Sequence, residues 1–128
     1  MNLENIYTPI KQSLDEVEER LGYIASSDVY PVYELYKYVL SSGGKRIRPA
    51  LVLLSAMSLD CNVSRVIDLA CATELIHMTS LIHDDIIDSA ELRRNRPAAH
   101  VVWGPKIAVI VGDYLFSQAM KILAEREI

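Results

Sequence analysis

The sequence of 128 residues predicts an all-α fold. Apolar residues recur at spacings of three and four along most of the chain, as they do on the buried face of a helix. No segment shows the alternation of polar and apolar residues that a half-buried strand requires. With 51% hydrophobic residues, the chain can bury the core of one domain. We find no internal repeat or low-complexity segment, so the sequence predicts one helical unit.

The first forty residues predict two helices. The first has an apolar face formed by Leu3, Ile6, Ile10, Leu14, Val17 and Leu21. Pro9 interrupts this pattern because proline lacks the N–H of a helical hydrogen bond, so the regular helix is expected to begin there and to end within residues 22–27. A second helix is expected from Pro31, a residue favoured in the first turn, to about Leu40.

Three further helices are expected after a glycine-containing break at residues 41–44. Pro49 is predicted to begin a short apolar helix that ends near Met57. The longest helix is predicted over roughly residues 63–88, and a loop follows to about Gly104. The last helix is predicted to begin near Pro105 and to continue to residue 128, because no Gly or Pro stops it.

Composition excludes several classes of function. The net charge of −4 and the pI of about 5.3 give no general case for nucleic-acid binding. Cys61 and Cys71 form no disulfide or metal framework and fit a reducing cytosol. The acidic N-terminus lacks the apolar core of a signal peptide, and we expect no apolar run long enough to span a bilayer. These observations predict a cytoplasmic protein without a transmembrane segment.

Residues 83–94, HDDIIDSAELRR, contain four acids and two arginines. Asp84 and Asp88 are one helical turn apart and face the same way. Because the helix dipole disfavours carboxylates at a C-terminus, we expect a compensating cation. Mg²⁺ takes oxygen ligands and leaves room for phosphate oxygens, and the planar forks of Arg93 and Arg94 suit phosphate. The segment predicts a Mg²⁺–diphosphate site, and the alternative is a solvated helix end.

A polar stripe runs along the same apolar helix. Its members are Thr73, His77, Ser80, Asp84 and Asp88, which fall within about 80° of one another at 100° per residue. A solvated face is the alternative, and we favour it for Thr73. For His77, a role in ligand binding and an ordinary polar position remain equally open.

The segment GGKRIRP at residues 43–49 suggests a second anion site. Its glycines permit unusual backbone conformations, and Pro49 places Lys45 and Arg48 just before a helix N-terminus. Free N–H groups and the helix dipole stabilise anions there. The glycine spacing is not that of a Walker P-loop, and a basic surface turn is the alternative.

Three segments together resemble the trans-polyprenyl diphosphate synthase family. They are SSGGKRIRPALVLLSA (41–56), ELIHMTSLIHDDIIDSAELRRNRPAAHVVWG (74–104) and GDYLFSQA (112–119), and their order and spacing also match. The resemblance covers roughly residues 35–120. It implies the N-terminal half of the isoprenoid synthase helical bundle around a central cavity. One departure is Asn95, where the family often has Gly, and Asn also tolerates a left-handed backbone.

The resemblance implies a prenyltransferase that condenses an allylic diphosphate with isopentenyl diphosphate and uses Mg²⁺. The implied catalytic residues are Asp84, Asp85 and Asp88, with Asp84 and Asp88 as metal ligands and Asp85 in support. Arg93 would contact the allylic diphosphate. The implied isopentenyl diphosphate ligands are Lys45, Arg48, His77 and Arg94. Thr79 and Ser80 would form the floor of the product cavity. Since neither is aromatic, a medium- or long-chain all-trans product is expected.

The second aspartate-rich motif of the family has no counterpart in this sequence. Residues 1–128 are therefore expected to be a partial, N-terminal synthase domain that is incomplete alone. A homodimer or a heteromer with a chain that supplies the C-terminal half is the expected assembly. Two alternatives remain: a small subunit of a heteromeric synthase, and a regulatory helical module. The GGKRIRP segment argues against a terpene cyclase, which has no isopentenyl diphosphate to bind.

Overall fold

The structure is a computed structural model that describes residues 2–24 and 29–126. Short 3₁₀ turns at Thr8–Ile10 and Val63–Val66 connect some of its helices. The elements are α1 (Leu3–Tyr7), α2 (Lys11–Ile24), α3 (Val32–Ser41), α4 (Ile47–Ser58), α5 (Ile67–Ile87), β1 (Leu92–Arg93), β2 (Arg96–Pro97), α6 (Ala99–Trp103) and α7 (Pro105–Ala124). The prediction of an all-α fold is confirmed, with one two-stranded hairpin as an addition.

The boundaries of the first helices agree closely with the sequence pattern. Pro9 lies in the 3₁₀ turn that separates α1 from α2. The helix α2 ends at Ile24, and the rest of its predicted end falls on residues 25–28, outside the described residues. The helix α4 begins at Ile47, two residues before Pro49, so Arg48 lies in its first turn and not before the helix as predicted. Proline is tolerated there because the first four N–H groups of a helix have no helical partner.

The long helix α5 lies at the centre of the fold. It packs against α7 along most of its length, and also against α4 and α2. Its buried apolar residues belong to the main core, which includes Leu21, Leu35, Leu53, Ile67, Leu75, Val111 and Leu115. One close contact with α7 is at Gly112, where a Cβ atom would collide with the imidazole of His83. Any side chain at this position would therefore displace His83, the neighbour of Asp84.

The predicted loop after α5 contains the hairpin and α6. Arg93 pairs with Arg96 across the hairpin, and only Arg94 and Asn95 form its turn. Both turn residues have positive φ, 51° and 64°, as a type I′ turn requires. The sequence gives no period-two pattern for this hairpin, because strands of two residues are too short to produce one. The expectation that Asn95 tolerates a left-handed backbone is confirmed.

The last helix differs from the prediction in the residue at which it ends and in the length of its apolar stretch. The helix α7 ends at Ala124, so the prediction that it continues to residue 128 was too long, although residues 127–128 lie outside the described part. By length and composition alone, α7 could cross a membrane, which corrects the prediction that no apolar run approaches that length. One such helix is weak evidence of a span, because a core helix passes the same test. The inner face of α7 packs in the core through Ala108, Val111, Leu115 and Ala119.

Candidate functional site

The polar stripe of α5 lies on an open face of the fold. Thr73 and His77 are half-buried, whereas Ser80, Asp84 and Asp88 are exposed. The stripe reaches the C-terminal end of α5, where the N–H of Asp88 donates to the carbonyl of Asp84 at 2.8 Å. Neither carboxylate makes a hydrogen bond or ion pair with another side chain of the described residues. Both are therefore available to a ligand.

The donor set of this open face fits a hard cation. Asp84 and Asp88 supply carboxylate oxygens one helical turn apart. Within residues 2–24 and 29–126, no group of three or more His, Cys, Asp and Glu side chains is close enough to hold a metal ion. Mg²⁺ is commonly bound by only one or two carboxylates, with water and substrate phosphates completing its ligands. Two aspartates thus fit Mg²⁺ better than a metal that needs a complete protein cage.

The middle aspartate of the motif has a different environment. Asp85 is 6% exposed, and Arg93 holds it in a bidentate ion pair. The two bonds join Nε to Oδ2 at 3.1 Å and Nη2 to Oδ1 at 2.5 Å. The hydrogen bonds that Arg93 donates to Asp85 raise the pKa of Arg93, so this guanidinium is permanently charged. Asp85 therefore orients Arg93 at the start of the hairpin.

The hairpin is attached to α3 on its other side. The guanidinium of Arg96 lies 4.0 Å from the ring centroid of Tyr38, a cation–π contact. The hydroxyl of Tyr38 donates to the carbonyl of Pro97 at 2.7 Å. Arg94, at the turn, donates to the carbonyl of Gly43 at 2.8 Å. These contacts place the hairpin between the aspartate motif and the glycine loop.

The glycine loop at residues 43–46 has the backbone freedom that the sequence predicts. Gly43 and Gly44 have φ of 87° and 138°. A Cβ atom on Gly44 would lie 2.9 Å from Nη1 of Arg46 and 3.3 Å from Nη2 of Arg94. Glycine is therefore needed for close approach of two guanidiniums as well as for the turn. The carbonyl of Lys45 accepts a hydrogen bond of 2.7 Å from the hydroxyl of Tyr7.

A basic pocket opens between this loop and α5. It is lined by Gly44, Lys45, Arg46, Ile47, Arg48, Glu74, His77 and Arg94. The structure thus brings together the four residues that the resemblance implies for isopentenyl diphosphate, although they are separated by up to 49 positions in the chain (94 − 45). The pocket is rich in positive charge and suits a polyanion.

The pKa of the His77 imidazole is lowered in this pocket. Burial lowers its pKa, and so do the positive charges of Arg48, Arg94, Arg93 and Arg46. His77 is therefore neutral near pH 7 and can donate one N–H to an anion. Its place at the pocket favours the ligand-binding interpretation over the ordinary polar position.

The two residues predicted for the product floor are separated by the structure. Thr79 is 7% exposed, and its hydroxyl donates to the carbonyl of Gly112 in α7 at 3.1 Å. Ser80 is exposed, and its hydroxyl bonds back to the carbonyl of His77. Neither lines the groove whose walls include Glu74 and Asp85. Of these two side chains, that of Thr79 is buried and that of Ser80 is exposed.

Sequence reasoning missed Glu74 and Arg46 as partners. Glu74 is 5% exposed, and its Oε1 lies 3.3 Å from Nη1 of Arg46. One signal was present in the sequence: Glu74, Met78, Ile82 and Asp85 lie at positions i, i+4, i+8 and i+11, so one helix face carries an acid at each end of an apolar stretch. That pattern indicates two buried acids, each of which needs a cation.

The comparisons with known proteins identify the family. The sequence profile described as polyprenyl synthetase matches residues 30–127. This chain therefore belongs to the polyprenyl synthetase family, and its isoprenoid synthase helical fold is confirmed.

Two curated relatives show the degree of similarity. Heptaprenyl diphosphate synthase component 2 of Geobacillus stearothermophilus is 42% identical over 125 residues, which are 98% of this chain and 39% of the relative. Geranylgeranyl diphosphate synthase of Methanosarcina mazei is 42% identical over 122 residues, which are 89% of this chain and 38% of the relative. The chain thus spans less than two fifths of the length of these relatives.

A solved structure gives the same result. The polyprenyl synthase from Caulobacter crescentus, complexed with calcium and isoprenyl diphosphate, superimposes with a TM-score of 0.93 at 31% identity. The match covers 97% of this chain and 38% of that structure. The likeness therefore extends over nearly all of this chain and over a minor part of the solved protein.

Proposed function

We propose that residues 1–128 form the partial N-terminal domain of a trans-prenyltransferase that makes a medium- or long-chain all-trans polyprenyl diphosphate. The observation that carries this proposal is the position of two consecutive arginines. Arg93 contacts Asp85 in the aspartate motif, whereas Arg94 borders the basic pocket and bonds to the glycine loop. One short hairpin therefore connects two anion sites, as a reaction between two diphosphates requires.

Each site has its own role in the proposed reaction. Asp84 and Asp88 would hold Mg²⁺, which supplies charge neutralisation for the leaving diphosphate. Arg93 contacts the allylic diphosphate, with Asp85 fixing its orientation. Lys45, Arg48, His77 and Arg94 bind isopentenyl diphosphate, whose diphosphate remains intact.

The reaction itself is a head-to-tail condensation. The allylic C–O bond breaks, and its electron pair leaves with the diphosphate. The double bond of isopentenyl diphosphate then attacks the allylic carbocation, and a proton is lost. Fixed cations near the leaving group stabilise the charge that develops there, which is where electrostatic catalysis is strongest.

The complete enzyme needs more protein than this chain. Because the chain spans 39% of the Geobacillus relative, the second metal-binding motif is expected from further sequence or from a second chain. We propose a homodimer or a heteromer, in the cytoplasm, with no nucleic acid and no membrane span.

A second candidate function is a subunit or regulatory module of a heteromeric synthase that is inactive alone. The names of two relatives support it, since those of Geobacillus stearothermophilus and Bacillus subtilis are both called component 2 of heptaprenyl diphosphate synthase. This candidate differs from the first in requiring a separate partner chain.

Two measurements test the proposal. The first is calorimetric binding of isopentenyl diphosphate to this chain. The second is a Mg²⁺-dependent condensation assay, on the chain alone and on a chimera in which the chain replaces the matching part of the Methanosarcina mazei enzyme. We expect binding by the chain, and elongated product from the chimera but not from the chain alone. A folded chimera without product would favour the regulatory module, and a chain that does not bind isopentenyl diphosphate would contradict the pocket assignment.

A further inference from the structure

Arg46 lies in the basic cluster of the glycine loop but turns its side chain inward. Its guanidinium is ion-paired with Glu18 of α2 and lies 3.3 Å from Oε1 of Glu74 of α5. Nη1 also donates to the carbonyl of Gly43 at 3.3 Å. The side chain is 12% exposed, whereas Lys45 and Arg48 on either side are exposed residues. One arginine thus connects two helices and the loop backbone.

The buried carboxylate of Glu74 needs the positive charge of Arg46. A buried carboxylate without a cation is strongly disfavoured, and Arg46 is the only ion-pair partner that the described residues provide for Glu74. The pKa of Glu74 is raised, mainly by burial and also by the negative charge of Glu18, and the positive charges of Arg46, Arg48 and Arg94 limit the rise. Glu74 also lines the basic pocket, so its carboxyl group belongs to the same pocket that is proposed to bind a diphosphate.

The backbone of Arg46 shows that side-chain contacts maintain the loop. Arg46 has a φ of 51°, a left-handed conformation that a residue with a Cβ atom rarely adopts. It is also the N-cap of α4 and makes no capping hydrogen bond with its side chain. Local propensity therefore does not favour this conformation, and the contacts with Glu18 and Glu74 are among those that hold it.

We propose that Arg46 and Glu74 are positioning residues of the basic pocket: their ion pair holds the glycine loop in the conformation that turns Lys45 and Arg48 toward a diphosphate. Arg46 is not itself a ligand in this assignment. The inference rests on the proposed function, since it concerns the same pocket.

The charge of Glu74 makes the proposal sharply testable. If Glu74 acts only as a negative charge near the pocket, Glu74→Gln removes repulsion and tightens anion binding. If Glu74 positions Arg46, the same substitution loosens the loop and weakens binding. The two roles therefore predict changes of opposite sign.

The experiment is calorimetric titration of this chain with isopentenyl diphosphate and, separately, with inorganic pyrophosphate. We expect Glu74→Gln to weaken binding of both about fivefold and Arg46→Met about tenfold or more. Arg46→Lys should recover only part of the affinity, because an ammonium cannot form the planar fork that bridges two carboxylates. Arg65→Met, at an exposed residue on another part of the surface, is the charge-matched control and should change binding less than twofold.

A double variant separates positioning from unfolding. Buried ion pairs replaced by apolar residues often leave a protein as stable as before, so Arg46→Met with Glu74→Met is expected to fold. We expect it to keep the helical circular dichroism of the parent and to bind as weakly as Arg46→Met.

The outcomes distinguish this inference from the proposed function. Tighter binding by Glu74→Gln, or parental affinity in the folded double variant, would overturn the positioning role while leaving the pocket assignment in place. A parent chain that binds neither anion would instead reject the proposed function.

Discussion

Both faces of α5 carry acidic residues, but the surroundings of these residues differ between the two faces. The open face carries Asp84 and Asp88, which have no side-chain partner in the described part of the chain. The buried face carries Glu74 and Asp85, and each is paired with one arginine. Asp84 and Asp85 are neighbours in sequence, yet the helix turns them about 100° apart.

This difference shows how burial separates ligand binding from structural roles. An exposed carboxylate keeps its oxygens for a metal or other ligand, whereas a buried one must be neutralised within the protein. The buried acids here are neutralised by Arg46 in the glycine loop and Arg93 in the hairpin. The buried face of α5 therefore orients the two loops that carry the cations of the proposed site.

The largest expected effect is on the open face. Asp84→Ala or Asp88→Ala in the chimera should reduce Mg²⁺-dependent condensation by two to three orders of magnitude, about the loss seen when one preorganised electrostatic group is removed. The free energy of unfolding of the chain, measured with urea, should change by less than about 0.5 kcal/mol. Glu19→Ala, an exposed acid on α2, is the matched control. Unchanged condensation would remove the metal assignment.

The second prediction concerns the buried face. Asp85→Ala should destabilise the chain by about 1.5–3 kcal/mol, because a charged hydrogen-bond pair is lost and Arg93 keeps an unpaired charge. The partial exposure of Arg93 limits the cost, since water can solvate the freed guanidinium. Urea unfolding of the Asp85→Ala and Asp84→Ala variants of this chain measures the difference in their free energies of unfolding. Equal stability of the two variants would contradict the distinction between the faces.

The third prediction separates Thr79 from Ser80. Thr79→Phe should destabilise the chain by about 1–3 kcal/mol, because a large ring would overpack the contact with Gly112. Ser80→Phe lies on the open face and should leave stability nearly unchanged while shortening the product of the chimera. Thermal unfolding and product chromatography measure the two effects. A normal product length with Ser80→Phe would place the floor of the cavity elsewhere.

The smallest expected effect is a pH dependence at His77. The pKa of this imidazole is lowered in the free protein, and a bound diphosphate would raise it by offsetting the surrounding positive charge. Binding should therefore take up a fraction of one proton, and affinity should rise by less than tenfold per unit as pH falls from 8 to 6. Calorimetry in buffers of different ionisation enthalpy measures this uptake. His77→Gln should abolish it, and an unchanged uptake would assign the proton to another group.

The same shift has a consequence for stability. An imidazole whose folded pKa is depressed stabilises the fold above its unfolded pKa of about 6.5, and this contribution is lost as pH falls further. Stability should therefore decrease on acidification below that value, and less so in His77→Gln.

Much of the fold could be predicted from the sequence because helices depend on local periodicity. The spacing of Leu14, Val17 and Leu21 predicted α2, and the all-α class followed from such patterns. The two-residue strands around Arg94 and Asn95 could not be predicted this way. Their hairpin is stabilised by Tyr38, which is 58 residues from Arg96 and thus invisible to any local pattern.

The sequence by itself determined the members of the open face, since a helix of 3.6 residues per turn necessarily aligns His77, Asp84 and Asp88. It also determined the type of chemistry, because carboxylates followed by paired arginines suit a cation and a diphosphate. Only the tertiary structure decided that Lys45 and Arg48 share one pocket with Arg94, and that Arg46 turns inward to Glu74. The physical reason is that burial and ion pairing depend on which helices pack together, and residues far apart in the chain decide that.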